Sequence, residues 1–196
     1  MSLTRPSASR ILAGRRAWPV VLLACCAALG ASAQQPAASP EEKKNWFDDP
    51  FFQVSAGLPR CPTPEGPFYT AAERLRQTHS RLERGTSCWI AGRCKDSNAY
   101  LYDKALAPQV RAALAAEPGI RRSSVWVTIQ RRWVYLQGCV PTQALAHRLE
   151  RAARAVEQVE TVVPDLMTGT RGNAPYPVAR QATRPPAQQQ QDPRKQ

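Results

Sequence analysis

The four cysteines beyond residue 33 are the residues of this chain with the most available chemistry: Cys61, Cys88, Cys94 and Cys139. An even number in an exported chain indicates disulfide bonds, and four cysteines allow three pairings that sequence does not separate. Cys88 and Cys94 enclose a short loop and could pair locally, which would leave Cys61 for Cys139. Zinc fits poorly, because no Cys-x-x-Cys pair occurs and the histidines are remote. We therefore predict disulfides and no metal site.

Catalytic constellations are missing from the sequence. His79 and His147 are its two histidines, and there is no paired-carboxylate motif, phosphate-binding glycine loop or nucleophile elbow. Ser123 and Ser124 are interpreted as residues at the entry of a strand. These observations predict a protein that is not an enzyme and that carries no cofactor.

Arginines beside aromatic residues are the strongest binding signal. Arg131 and Arg132 adjoin Trp133, a combination that suits a lipid headgroup interface, since the cation attracts phosphate and indole prefers the apolar boundary. The candidate residues for binding lipid or a partner are Arg121, Arg122, Trp126, Arg131, Arg132, Trp133, Tyr135, Arg151 and Arg154. The competing interpretation is that the aromatic residues are buried under another segment and the arginines are ordinary solvated charges.

Residues 1–33 have the layout of a secretory signal peptide, in which arginines precede an apolar run and Ala31, Ser32 and Ala33 favour cleavage after Ala33. The apolar run is short for a bilayer, which needs about 20 residues. A lipid anchor on Cys25 and a twin-arginine signal at Arg15 and Arg16 are weaker alternatives. We expect an exported protein that is peripheral to the membrane at most.

The net charge is strongly positive, at +12 for the whole chain. The leader contains four of the 27 basic residues, so the rest of the chain has 23 basic and 15 acidic residues and a net charge of +8. Such a charge suits nucleic acid, anionic lipid or an acidic polymer equally well. Export removes access to chromosomal DNA, so we predict an anionic phospholipid or an envelope protein as partner and no nucleic acid.

The elements that would position these residues centre on a hairpin at 124–140, in which aliphatic residues alternate with aromatic and polar ones. Periodicity predicts a helix over 104–116, a second over 142–156 and a third strand from Val159 to near Met167. The second helix is a crossover, so the third strand should run parallel to the second. The fold class is therefore α+β: two layers in the order αββαβ, with a small mixed three-stranded sheet and both helices on its aliphatic face.

Segments outside this region are expected to be simpler. Residues 34–60 are predicted to be a flexible, aromatic linker, and 170–196 a disordered tail rich in proline and glutamine. Residues 61–100 are expected to form a cysteine-containing extension with one helix, which begins with the capping-box spacing of Thr70 and Glu73 and ends at Gly85. One side of this helix carries Ala72, Leu75 and Leu82, and its remaining surface is interpreted as a solvated face lined by Arg74, Arg76, Arg81 and Arg84. Strand parity places Cys139 on the aromatic side of the hairpin, so a disulfide from it would hold the extension over that side.

The pattern of the domain resembles the BON (bacterial OsmY and nodulation) family. The resemblance covers residues 101–169 in a single copy and is carried by Asp103, the helix stripe Leu106, Val110 and Leu114, Val125-x-Val127, Val134-x-Leu136-x-Gly138-x-Val140, the alanine-rich helix and Val159-x-x-Val162. It departs at Arg131-Arg132, where the family commonly has an Asn-Gly type of turn, which puts a tight turn with positive φ in doubt.

The resemblance implies an envelope protein of Gram-negative bacteria that binds phospholipid and supports envelope integrity or stress tolerance. Together with the leader, it implies a periplasmic location. It supplies no catalytic residues. The alternative function is a structural adaptor for another envelope protein or a cell-wall component, and the oligomeric state stays open.

Overall fold

The structure, a computed structural model, describes residues 41–179. Its strands are β1 (Phe51–Ala56), β2 (Ser124–Gln130), β3 (Trp133–Val140) and β4 (Thr161–Thr168). Its α-helices are α1 (Ala71–Gly85), α2 (Ser87–Ile90), α3 (Asp103–Ala115) and α4 (Gln143–Arg154). The leader predicted at 1–33, including Cys25 and the cleavage position after Ala33, lies outside the described residues, as do positions 180–196 of the predicted tail.

The four strands form one sheet in the order β1-β2-β3-β4. β2 and β3 are the antiparallel hairpin predicted from the alternation, and β4 lies parallel to β3 as the crossover requires. The α+β class is confirmed, but the count of three strands is wrong. β1, from the stretch expected to be a linker, pairs antiparallel with β2. The prolines of this stretch led to the prediction of a linker. Pro50 and Pro59, however, lie on either side of β1 and do not interrupt it.

The core lies between the inner face of the sheet and helices α3 and α4. Leu106, Val110 and Leu114 from α3 and Leu145 and Leu149 from α4 pack against the aliphatic residues of β2 and β3. Phe52 and Val54 of β1 add to the same core. Burial of these aliphatic side chains is the main stabilising contribution to the domain, at roughly 1.5–3 kcal/mol for each fully buried one.

The β2–β3 turn consists of Arg131 and Arg132, both with positive φ, at 49° and 67°. Gln130 pairs directly with Trp133, so the turn is the tight two-residue kind that the pair of arginines put in doubt. It forms because Asp103, the first residue of α3, accepts hydrogen bonds from both backbone N–H groups at 2.7 Å. A contact distant in sequence thus replaces the local preference of Asn-Gly.

The outer face of the sheet is partly covered by segments from both sides of the domain. The Cys61–Cys139 disulfide packs with Met167, Leu58, Trp126 and Ala174. Tyr176 is buried and its hydroxyl donates to the Pro62 carbonyl at 2.8 Å. The predicted disorder from residue 170 is therefore wrong for 174–179, because tertiary hydrogen bonds hold this stretch against residues 62–65.

Helix α1 begins with the predicted capping box, in which the Thr70 hydroxyl accepts from the Glu73 N–H and the Glu73 carboxylate accepts from the Thr70 N–H. Its contact with the rest of the protein is polar. Arg81 donates to both carboxylate oxygens of Asp49, at 2.8 and 2.5 Å, and its guanidinium lies between the rings of Phe47 and Tyr100. Arg81 is thus a buried anchor, whereas the sequence placed it on a solvated helix face.

Candidate functional site

The three aromatic residues predicted to contact a lipid or partner lie on the outer face of the sheet. Trp126, Trp133 and Tyr135 are each half-buried. Trp126 packs against the Cys61–Cys139 cluster, and burial raises the pKa of the Tyr135 hydroxyl. These side chains are therefore largely occupied by the protein itself, which weakens the interpretation of this face as an open aromatic surface.

A cavity of about 260 Å³ remains between this outer face and the extension. Thr128, Gln130, Tyr135 and Gln137 form its floor. The opposite wall and rim consist of Lys43, Glu65, Gly66, Pro67, Phe68, Tyr69, Glu73 and Pro177. The Gln130 amide donates to Asp49 at 2.7 Å and to the Tyr69 hydroxyl at 3.3 Å, which fixes one corner. The cavity is lined by both polar and apolar groups and is small for a drug-sized ligand, which occupies roughly 300–1,000 Å³.

The predicted arginines do not form one surface. Arg121 and Arg122 precede β2, next to the Ser124–Cys139 pair, whereas Arg131 and Arg132 follow the Gln130–Trp133 pair at the other end of the hairpin. Six residue steps along a strand separate these ends by roughly 20 Å. The structure therefore divides the predicted set into an entry pair, Arg121 and Arg122, and a tip pair, Arg131 and Arg132.

The arginines of α4 belong to the tip end. The Arg132 guanidinium donates through Nε to the carbonyl of Gln158, in the turn between α4 and β4, at 2.7 Å. Arg154 lies in the last turn of the same helix and pairs with Glu150 at 2.9 Å, as its spacing predicts. Arg151 and Arg154 are exposed. Four of the predicted arginines thus lie toward one end of the domain.

The tip pair combines a fixed backbone with stacked side chains. The Arg131 guanidinium lies 3.7 Å from the centre of the Trp133 ring, and that of Arg132 lies 5.3 Å from Tyr102. Within residues 41–179, neither guanidinium has a carboxylate as an ion-pair partner. The Trp133 indole N–H is buried and finds no acceptor in this part of the chain. The tip therefore presents two half-buried, oriented guanidinium groups that make no ion pair with a carboxylate in residues 41–179.

Asp103 is the electrostatic counterpart beneath the tip. Burial raises the pKa of its carboxyl from 3.8 to about 6, against the two backbone hydrogen bonds from Arg132 and Arg131, which lower it. Its oxygens are both engaged by the turn N–H groups. The sequence identified Asp103 as one of the residues that carry the family resemblance, and its role in supporting the turn could not be seen from local spacing.

A second feature of this end was missed by the sequence analysis. Leu75 and Leu82, which were expected to form an apolar side of α1, are 73% and 63% exposed, and Trp89 and Ile90 of α2 are 52% and 75% exposed. The Cys88–Cys94 disulfide closes the loop that carries Trp89 and Ile90. Arg93 in that loop pairs with Glu160, next to β4, at 3.2 Å. The sequence signal that could have indicated this exposure is Arg81 on the opposite side of α1, because a charged residue there can hold that side against the protein.

Residues 41–179 contain neither a metal-binding cluster nor a helix that could span a membrane. No group of three or more histidine, cysteine, aspartate or glutamate side chains in the stretch 41–179 could hold a metal ion. Within that stretch, none of the helices has both the length and the apolar character that crossing a bilayer requires. What one end of the domain does offer is the pair of arginines at the tip, which could contact an anion, and the exposed apolar residues of α1 and α2.

Comparisons with known proteins agree with the architecture. A family model described as the BON domain matches residues 102–169, which run from the residue before α3 to the residue after β4. Neither a curated protein nor a solved structure matches the chain. The matched range excludes β1 and helix α1. It also excludes three of the four disulfide-bonded cysteines: Cys61, Cys88 and Cys94. Residues 102–169, folded as two helices on a mixed sheet, therefore form a BON domain.

Proposed function

We propose that this protein is a non-catalytic component of a Gram-negative cell envelope that associates peripherally with anionic phospholipid through the tip pair, Arg131 and Arg132. Its role is to support envelope integrity or tolerance of stress on the envelope. BON domains are known in envelope and osmotic-stress proteins and are associated with phospholipid binding, and this family background supports the proposal. The predicted leader and the two disulfides are consistent with export.

The observation that carries the proposal is the conformation of the tip pair. Two consecutive arginines adopt positive φ, a region that disfavours residues other than glycine, asparagine and aspartate by roughly 1–2 kcal/mol each. An Asn-Gly pair would form the same turn with less strain. Strained backbone persists where the side chain has a use, and two guanidinium groups without a carboxylate partner in residues 41–179 suit lipid phosphates.

The test is flotation with vesicles of phosphatidylcholine alone and with vesicles of phosphatidylcholine and phosphatidylglycerol in equal parts. We expect the wild type to float with the anionic vesicles only. The double variant Arg131→Asn, Arg132→Gly should lose most of this binding, since it removes both cations and keeps a turn that suits its backbone. Its unfolding free energy should stay within about 1 kcal/mol of the wild type or rise.

The matched control is Arg121→Gln, Arg122→Gln, which removes the same charge at the other end of the hairpin. Equal loss of binding in both double variants would show a general effect of net charge and would overturn the assignment to the tip.

A second candidate is a structural adaptor for another envelope protein or a cell-wall component. The cavity between the outer face and the extension favours it, because the half-buried Tyr135 and Gln137 place polar groups on the cavity floor. Absence of binding to both kinds of vesicle, together with recovery of a specific envelope partner by crosslinking, would select this candidate.

A further inference from the structure

Four exposed apolar residues of the consecutive helices α1 and α2 lie outside the matched BON domain: Leu75, Leu82, Trp89 and Ile90, here called the apolar stripe. Leu75 and Leu82 are seven residues apart on α1 and so lie within about 20° of the same helix face. Trp89 and Ile90 follow on α2, one residue beyond the end of α1. Thr78 and His79 occupy the same side of α1 and are also exposed.

The outward orientation of the stripe is fixed by the opposite side of α1. Arg81 lies about 120° around the helix from Leu75 and is 12% exposed, in a bidentate pair with Asp49, which is 2% exposed. Rotating the helix to bury Leu75 and Leu82 would break that pair and leave a buried carboxylate without its cation, which is strongly unfavourable. The apolar side of α1 therefore remains in contact with solvent in the isolated chain.

The stripe lies at the same end of the sheet as the tip pair. Asp49, the partner of Arg81, also accepts from Gln130, the last residue before the turn. Arg93, just past α2, pairs with Glu160 beside the first residue of β4. The backbone N–H of Lys95 donates to the hydroxyl of Tyr102, over whose ring Arg132 lies. Helices α1 and α2 thus border the end of the domain that presents Arg131 and Arg132.

Charge beside the stripe identifies the kind of surface it fits. Arg74 and Arg76 are each one residue from Leu75, about 100° to either side of it, and both are exposed. Within the described part of the chain neither forms an ion pair with a carboxylate. Helix α1 has leucine on one side and arginine on both flanks, where Glu83 is paired with His79, and Trp89 follows on α2. This combination of leucine, tryptophan and arginine matches the boundary between lipid headgroups and acyl chains. A second copy of this chain would instead bring arginines against arginines.

We propose that the apolar stripe inserts into the headgroup boundary of an anionic phospholipid bilayer and anchors the protein there, with Arg74 and Arg76 at the level of the phosphates. This inference rests on the proposed function and adds to it a separate contact surface, outside the BON domain. The tip pair supplies attraction to the charged surface, and the stripe supplies the apolar contact that resists salt.

The experiment measures partition of the exported, purified protein onto vesicles of phosphatidylcholine and phosphatidylglycerol in equal parts, at low and high salt. The double variant Leu75→Gln, Leu82→Gln should partition about tenfold less or lower still, and the remaining binding should disappear at high salt. Both positions are exposed, so unfolding is not expected. The control is Val178→Gln, which alters an exposed apolar residue that belongs to neither α1 nor α2 and should leave partition unchanged.

Insertion has a direct optical readout in Trp89. Lipids brominated on their acyl chains should quench part of the tryptophan fluorescence in the wild type, and Trp89→Phe should lose that quenched component. The other tryptophans of residues 41–179, Trp46, Trp126 and Trp133, are half-buried and should contribute little to it.

The outcomes separate the two proposals. If the wild type binds anionic vesicles through the tip pair while the Leu75→Gln, Leu82→Gln variant binds equally and Trp89 is not quenched, the stripe proposal is wrong and the proposed function stands. If the wild type binds no vesicles, both fail. If sedimentation shows self-association that the same double variant abolishes, a second copy covers the stripe and the membrane assignment is overturned.

Discussion

Arg81 of α1 and Asp49, ahead of β1, form a bidentate ion pair in which the guanidinium donates to both carboxylate oxygens at 2.8 and 2.5 Å. The pair joins the extension to the sheet, because Asp49 also accepts from Gln130 at the end of β2. The aromatic rings of Phe47 and Tyr100 lie against the guanidinium and exclude water from it. The orientation of α1, and with it the exposure of the apolar stripe, depends on this contact.

Arg81→Ala should therefore destabilise the protein by about 3–5 kcal/mol, because it leaves the Asp49 carboxylate buried without its cation. Arg76→Ala, on the exposed side of the same helix, should change the unfolding free energy by less than about 0.5 kcal/mol. Urea unfolding measures both values. Similar small effects in the two variants would contradict the anchoring role of Arg81.

The pH dependence of stability should report Asp103. Folding raises the pKa of its carboxyl from 3.8 to about 6, so the native state holds this proton more tightly than the unfolded chain. The stabilising contribution is full below pH 3.8 and is lost as the pH rises through about 6. Measured against Asp103→Asn, the wild type should lose on the order of 3 kcal/mol of relative stability over this window. A relative stability that rises with pH would show that the turn hydrogen bonds outweigh burial.

The two disulfides should contribute unequally. Cys61 and Cys139 are 78 residues apart in sequence, whereas Cys88 and Cys94 are 6 apart. The chain-entropy model gives about 4.5 kcal/mol for the long loop and about 2 kcal/mol for the short one. Replacing each pair by two alanines and comparing urea unfolding of the variants tests the order. Loss of the long-range disulfide should also make residues 58–65 sensitive to proteolysis, since these lie over the outer face.

Gly138 and Gly169 provide a matched test of backbone packing. Both have positive φ, at 128° and 75°, but a Cβ on Gly138 would lie 2.1 Å from the Ser124 carbonyl oxygen, whereas one on Gly169 would meet nothing within 4 Å. Gly169→Ala should cost about 1 kcal/mol from backbone strain alone. Gly138→Ala should cost about 4 kcal/mol or more, because β2 and β3 must separate to admit the methyl group. Thermal unfolding of the two variants distinguishes them, and equal costs would show that the sheet can adjust.

The sequence by itself determined the α+β domain, because alternation in 124–140 and helical periodicity in α3 and α4 reflect which side of each element is buried. The capping box of α1 and the Glu150–Arg154 pair were also predicted, since they depend on residues three or four apart. These are local signals. They require no knowledge of what lies on the other side of the fold.

Only the tertiary structure decided the features that depend on residues far apart in the chain. β1 exists because β2 offers it an edge, the tip turn forms because Asp103 accepts from it, and α1 faces outward because Asp49 holds Arg81. Each of these contacts joins residues 28 to 77 positions apart. Local preference alone would have given an irregular linker, an unsupported turn and a buried pair of leucines, so the candidate surface became visible only in three dimensions.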